Sequence, residues 1–355
     1  MILFWRSFLN PAVAVIFALS QKFFENVVSY FKEKSPATVV WLFLLSILLH
    51  LQFVFLSAPK VLITTDTPLL YFLARPLQSL PGIALIFLYH AIVIVQATRL
   101  NYIVNNLRLF SHPNYTIALC YVLLCGLLPE WNNITPALIA NSFTIWAISF
   151  FGQVYNAQSS GKSIFNIGAV TGIAVLLYPP LITLFVLMML AVLVLRPFKL
   201  RELLIFIFSF LLPFYFLAAV LFLKDDLPLL KNQALQVTWH TLSLKGRPLV
   251  VATSSTVVLL LLFWGLYFWQ RNNHKLLIVA RKSWSILIIS ILFFVPGAFL
   301  FKFAGWDAFL LCIVPCAAVS ANGFYYSRNT ILSALIFWIV VLVVLFNNVG
   351  SKFLH

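Results

Sequence analysis

Asp66, in the stretch ITTDTPLLYF, is the residue best placed to do chemistry. It follows the first long apolar run and so falls in a loop at a membrane surface. There a carboxylate can take a proton from an acceptor, or hold a divalent ion, beside a lipid-linked headgroup. Asp66 also stands just before Pro68 and an apolar run, which is the pattern of a helix N-cap. Both readings stay open. Glu130 in LPEWNN is a second candidate carboxylate at a span end. Arg75 lies in the same loop as Asp66, and its planar fork can grip a phosphate at two oxygens. Lys60, just before the loop acid, supplies a point charge. Asp66 and Glu130 are therefore the candidate catalytic residues, with Arg75 and Lys60 as substrate-binding residues.

His50 and His90 pose a different question, since each falls near the middle of an apolar run. An ionisable side chain at that depth is costly and usually faces a partner or a cavity. The two runs are consecutive and antiparallel, so the imidazoles are expected at similar depth. They form either part of a proton path or a pair of neutral histidines hydrogen-bonded inside a bundle. Cys120, Cys125, Cys312 and Cys316 all lie in apolar runs with no histidine at a ligand spacing, so they read as packing residues and no metal site is expected. The segment SSGKS at Ser159 to Ser163 lacks the first glycine of a phosphate-binding loop and follows a span, not a strand. No cofactor can be named.

The elements that must position these groups are membrane spans. The chain is 63% apolar and only 9% charged, outside the range of soluble domains. Its 23 Lys and Arg against 8 Asp and Glu would suggest nucleic acid in a soluble protein. Here the bases fall in short gaps between apolar runs, where they act as topology signals and contacts for anionic membrane lipids. No nucleic-acid partner is expected. Residues 1–39 are expected to hold a cytoplasmic amphipathic helix lying in the interface, with Phe17, Phe24, Val28 and Phe31 on its apolar face. Residues 40–355 form one all-α transmembrane bundle of about nine full spans, among them Trp41 to Ala58, Gly82 to Thr98 and Tyr115 to Leu128. Lys162 to Arg201 is too long for one crossing and is broken at Pro179-Pro180, so it is expected to be a re-entrant hairpin of half-helices with its turn sheltered inside the bundle. Gly168 and Gly172 form a G-x-x-x-G pattern in its first arm, suited to close helix packing. Positive residues favour this topology, with the N-terminus in the cytoplasm of a cell whose inner membrane holds the chain.

The layout resembles the GT-C class of membrane glycosyltransferases: a cytoplasmic N-terminus, a first span leading to an external loop acid at Asp66, and a hairpin ending in the basic RPFKLREL. The resemblance implies an enzyme of envelope glycan assembly acting on a polyprenyl-phosphate-linked sugar, with Asp66 at the catalytic position. The run FNIGAVTGIAVLLYPPLITLFVLMMLAVLVLRPFKLRELL is also similar to an uncharacterised inner-membrane family of Bacteroidota, which implies no activity. The first loop holds one acid where GT-C enzymes carry a pair. Two other functions fit the residues: a transporter or lipid-carrier flippase using the hairpin and histidines, and a non-catalytic subunit bound to a membrane-protein partner.

Overall fold

The computed structural model describes residues 27–33, 35–63, 74, 76–156, 161–226, 248–301 and 305–350. Asp66, Arg75, Phe17 and Phe24 lie outside the described residues. Within them the regular structure is helical, apart from isolated bridge residues such as the pair Val61 and Ile134. This follows from composition, because a segment in hydrocarbon must satisfy its own backbone groups and a helix does so locally.

The helices are α1 (Ala37–Leu49), α2 (Gln52–Phe55), α3 (Gly82–Asn106), α4 (Thr116–Cys125), α5 (Pro136–Ser149) and α6 (Phe151–Asn156). The hairpin arms are α7 (Gly161–Leu177) and α8 (Ile182–Leu195). After them come α9 (Leu200–Leu223), α10 (Pro248–Asn272), α11 (Ile278–Leu300), α12 (Leu310–Tyr326) and α13 (Thr330–Leu345). Seven helical stretches are each long and apolar enough to cross a membrane, and four shorter apolar helices accompany them.

Local signals account for the ends. Thr135 accepts a hydrogen bond from the Leu138 amide at 3.2 Å and Pro136 occupies the first turn, so α5 starts with a side-chain cap and a missing donor where donors are surplus. Asn329 caps α13 in the same way. The core runs along α4 and α12. Every residue of α4 is buried, as is α12 from Leu310 to Phe324, and a helix apolar on all sides belongs at the centre. The four cysteines lie on these two helices, buried and unpaired. By contrast, 89% of the apolar window in Trp306–Tyr326 is buried against 17% in Leu200–Leu223, which places α9 at the rim facing lipid.

The hairpin turns where the prolines require, and Pro180 and Leu181 are buried in its turn. Its direction follows from the neighbours of α7. Gly168 faces Phe206 and Ser209 on α9, and Gly172 faces Phe210 and Pro213, so α7 and α9 run parallel. The chain between them must return, and Lys162 and Arg201 lie at the same end of the bundle. The arms are about 25 Å and 21 Å long, which carries the turn most of the way across a core of about 30 Å. Pro180 accordingly sits beside Gly297, near the last turn of α11. Neither Gly168 nor Gly172 has room for a Cβ, since one at Gly168 would lie 2.6 Å from the Phe206 carbonyl oxygen.

Three expectations change. The first span begins earlier, at Ala37, and is interrupted at His50. Side chains enter its backbone ladder there: the His50 ring takes the Ser46 carbonyl at 2.7 Å and the Asn348 amide reaches the Leu49 carbonyl at 3.4 Å. Second, the span expected from Tyr115 to Leu128 has only 10 helical residues, because protein and not lipid surrounds it. Third, Val28 and Phe31, in a helical piece at 27–32, are buried in the bundle core. The Phe31 carbonyl accepts from the Tyr115 amide at 2.8 Å and Lys32 donates to the Ser327 carbonyl at 2.9 Å. Burial pulls the Lys32 ammonium below its usual range.

Candidate functional site

Charge divides the two ends of the bundle. Arg108, Lys162, Lys199, Arg201, Arg271 and Lys275 lie at the end where α1 begins, whereas Glu130, Asp225, Asp226 and Asp307 lie at the opposite end. Arg196 and Glu202 pair at 3.5 Å across the tight connection from α8 to α9 at the basic end.

The opposite half holds a buried polar cluster. The His50 Nδ1 lies 2.7 Å from the Ser46 carbonyl oxygen, which can only accept, so Nδ1 carries the proton. In the neutral ring Nε2 is then an acceptor, and the Tyr89 hydroxyl stands 3.2 Å from it. Tyr89 has two further acceptors, the Trp131 carbonyl at 3.2 Å and the Asn132 Oδ1 at 3.5 Å. Its single proton must choose among three. The Ser46 hydroxyl meets His90 Nδ1 at 2.8 Å, and the two imidazoles stand edge to face with centroids 5.5 Å apart. Sequence spacing put the two histidines at similar depth on consecutive runs, and the structure places their rings in contact. If His50 takes a second proton, Tyr89 can turn its hydroxyl to Trp131 and accept from Nε2. The hydrogen-bond geometry thus leaves Nε2 a partner in either state, while burial in the bundle opposes the charge itself.

Asn132 and Asn348 tie this cluster to the C-terminal end of the bundle. The Asn132 amide donates to Asn348 Oδ1 at 2.9 Å, and the Asn348 amide donates to the Gly126 carbonyl at 2.9 Å. Asn347, next in the same π-helical turn Phe346–Gly350, donates to the Leu127 carbonyl at 3.0 Å and to Ser254 at 2.9 Å. π-turns of this kind recur at functional sites. Sequence reasoning missed Tyr89, Asn132, Asn347 and Asn348. The available signals were a tyrosine adjoining His90 and an Asn-Asn pair closing an apolar run.

The first loop is fastened to the same end. Ile134 and the stretch Lys60 to Leu62 exchange backbone bonds of 2.9 and 3.0 Å, and the Lys60 amide donates to Asn133 at 3.1 Å. Ile63 and Ala74, which flank the segment bearing Asp66, are buried in one small cluster with Leu177 at the tip of the first hairpin arm. Lys60 itself is exposed at this rim. Glu130 lies in the short helix Pro129–Asn132, whose Trp131 donates to the Trp306 carbonyl at 2.8 Å. Asp307 accepts from the Gly305 amide at 3.1 Å and lies within electrostatic reach of Tyr178, whose buried hydroxyl has no partner among the described residues. Among the described residues no group of three His, Cys, Asp or Glu is placed to hold a metal ion.

Apolar helices that alternate in direction, with most of the described bases at one end, define a polytopic α-helical integral membrane protein. A family model described as a family of unknown function, DUF6427, matches residues 42–353. The chain belongs to that family. No curated protein and no solved structure matches it.

Proposed function

We propose that the protein acts at the end of the bundle opposite the basic residues, on an anionic substrate carried by a lipid. The observation that carries this reading is the anchoring of Ile63 and Ala74 on Leu177, which fixes both flanks of the Asp66 segment at the hairpin tip. Reactive groups borne on a loop need a rigid support, and a substrate with a long apolar tail needs its headgroup chemistry at that level. The positive-inside rule places the basic end, with the N-terminus, in the cytoplasm. By the resemblance to the inner-membrane family of Bacteroidota, the opposite end then faces outward from the inner membrane.

In this reading the substrate is a polyprenyl-phosphate-linked sugar and the reaction is a GT-C-like glycosyl transfer. Asp66 takes the proton of the acceptor hydroxyl, or holds a divalent ion, as the acceptor oxygen bonds to the anomeric carbon. The bond from that carbon to the carrier phosphate breaks, and the phosphate leaves on Arg75 with Lys60 at the rim. Glu130, on the neighbouring turn, is the second acid in reach of that surface.

A second reading, a proton-coupled carrier, is favoured by the His50, Tyr89 and His90 cluster, whose hydrogen bonds accommodate either charge state. One experiment separates them. A deletion strain is complemented with Asp66→Asn, with Asp225→Asn, and with a His50→Gln, His90→Gln pair, with membrane levels checked in each. Loss with Asp66→Asn alone is expected. Full complementation by Asp66→Asn removes the enzyme reading, and loss confined to the histidine pair supports the carrier.

A further inference from the structure

We infer that the groove between α7 and α9 seats an acyl chain of an anionic phospholipid from the leaflet at the basic end, with its phosphate on Arg201. The groove has a volume of about 550 Å3 and opens on the lipid-facing side of the bundle. Phe165 of α7 forms one wall, and Leu204, Phe208 and Leu212 form an i, i+4 row along α9. Its floor is the seam at Gly168, where Ser209 is buried with its hydroxyl donated to the Phe206 carbonyl at 2.9 Å. No polar group of the floor is left for an acyl chain to strand.

Length and charge identify the occupant. From Leu200 to Leu212 the groove runs about 18 Å along α9, close to one leaflet's share, about 15 Å, of the hydrocarbon core. It therefore matches one acyl chain lying along the membrane normal. Arg201 stands at the mouth, exposed, with no hydrogen bond or ion pair among the described residues, and Lys199 and Lys162 are exposed at the same end. A guanidinium at headgroup depth, at an end that also exposes two lysines, selects a phosphate with net negative charge over a zwitterion. This seat lies at the end opposite the proposed reactive loop and stands independently of it.

The test uses the full chain purified in detergent and presented with phosphatidylglycerol or phosphatidylcholine of identical acyl chains, with retained lipid counted by native mass spectrometry. Wild type is expected to retain phosphatidylglycerol in preference. Arg201→Ala is expected to lower phosphatidylglycerol retention about fivefold, the effect of one basic residue at an anionic surface, and to leave phosphatidylcholine unchanged. Leu204→Trp, which fills the groove, and Phe165→Ala, which removes a wall, should each reduce retention of both lipids. Arg271→Ala, at the same end on α10, should change neither. Equal retention of the two lipids by wild type overturns the inference, and so does an Arg201→Ala loss no larger than that of Arg271→Ala. Phosphatidylglycerol retention unchanged in both groove variants overturns it as well.

Discussion

Replacing Asn348 by leucine is expected to destabilise the bundle by about 2 kcal/mol, through lost hydrogen bonds and not lost volume. The Asn348 side chain is wholly buried and makes three bonds: it accepts from Asn132 at 2.9 Å and donates to the Gly126 carbonyl at 2.9 Å and the Leu49 carbonyl at 3.4 Å. The third is near the distance limit and counts for little. Each of the two short bonds is worth about 0.6 to 1.7 kcal/mol between membrane helices. Leaving a buried partner unsatisfied costs about 1 to 3 kcal/mol, so the sum cannot fall far below the lower figure doubled.

The assay is reversible unfolding of purified protein in mixed micelles as denaturing detergent is added. A double-mutant cycle makes the reasoning strict. Asn348→Ala combined with Asn132→Ala should cost less than the two singles together by about 0.5 to 1.5 kcal/mol, because either single already breaks the shared bond. Additivity within about 0.3 kcal/mol would show that the amides do not meet, and a neutral Asn348→Leu would show that this end is wet enough to replace the bonds.

Two further outcomes test the hairpin. Gly172→Leu is expected to lower stability by about 1 to 3 kcal/mol, measured in the same unfolding assay, because its side chain must enter the seam occupied by the Phe210 carbonyl and by Pro213, 3.1 Å from an added Cβ; an unchanged midpoint would refute the close approach of α7 and α9. Lys162→Cys and Leu200→Cys, introduced singly, should show the same sidedness toward an impermeant thiol reagent and both resist it from outside; labelling of Leu200→Cys alone would invert every later segment.

The spans and the hairpin were legible because their causes are local. Apolar runs, Pro179-Pro180, and Gly168 with Gly172 act within one or two turns of helix. The similar depth of His50 and His90 was legible for a related reason, since both lie mid-run on consecutive antiparallel spans, whereas their contact through Tyr89 and Ser46 was not. Much of what escaped depends on distant residues. The break at His50 is set mainly by its own ring on the Ser46 carbonyl, and the Asn348 amide that also reaches the Leu49 carbonyl stands nearly the whole chain away, outside any window of sequence. Asn347 and Asn348 look like the polar end of a span until their acceptors on Gly126 and Leu127 are seen. Val28 and Phe31 show the same periodicity whether the stripe meets lipid or protein, and here it meets protein.

Buried polar side chains occur toward both ends of the bundle, with Asn101, Asn114 and Thr116 hydrogen-bonded together near the basic end. Ser46, His50, Tyr89, His90, Asn132, Asn347 and Asn348 all lie in the half of the bundle away from the basic end, and they join α1, α3, the turn after α4 and the end of α13. In hydrocarbon each such group must find a partner, so a network closed by four separate elements permits few alternative arrangements. The lipid-facing side of α9, by contrast, is held mainly by its seam with α7 and meets fluid chains. The first loop emerges at the same end as the network, where Ile63 and Ala74 share one cluster with Leu177. A network of two imidazoles and three amides closed at that end holds these elements in one arrangement, because removing any one member leaves a buried partner unsatisfied.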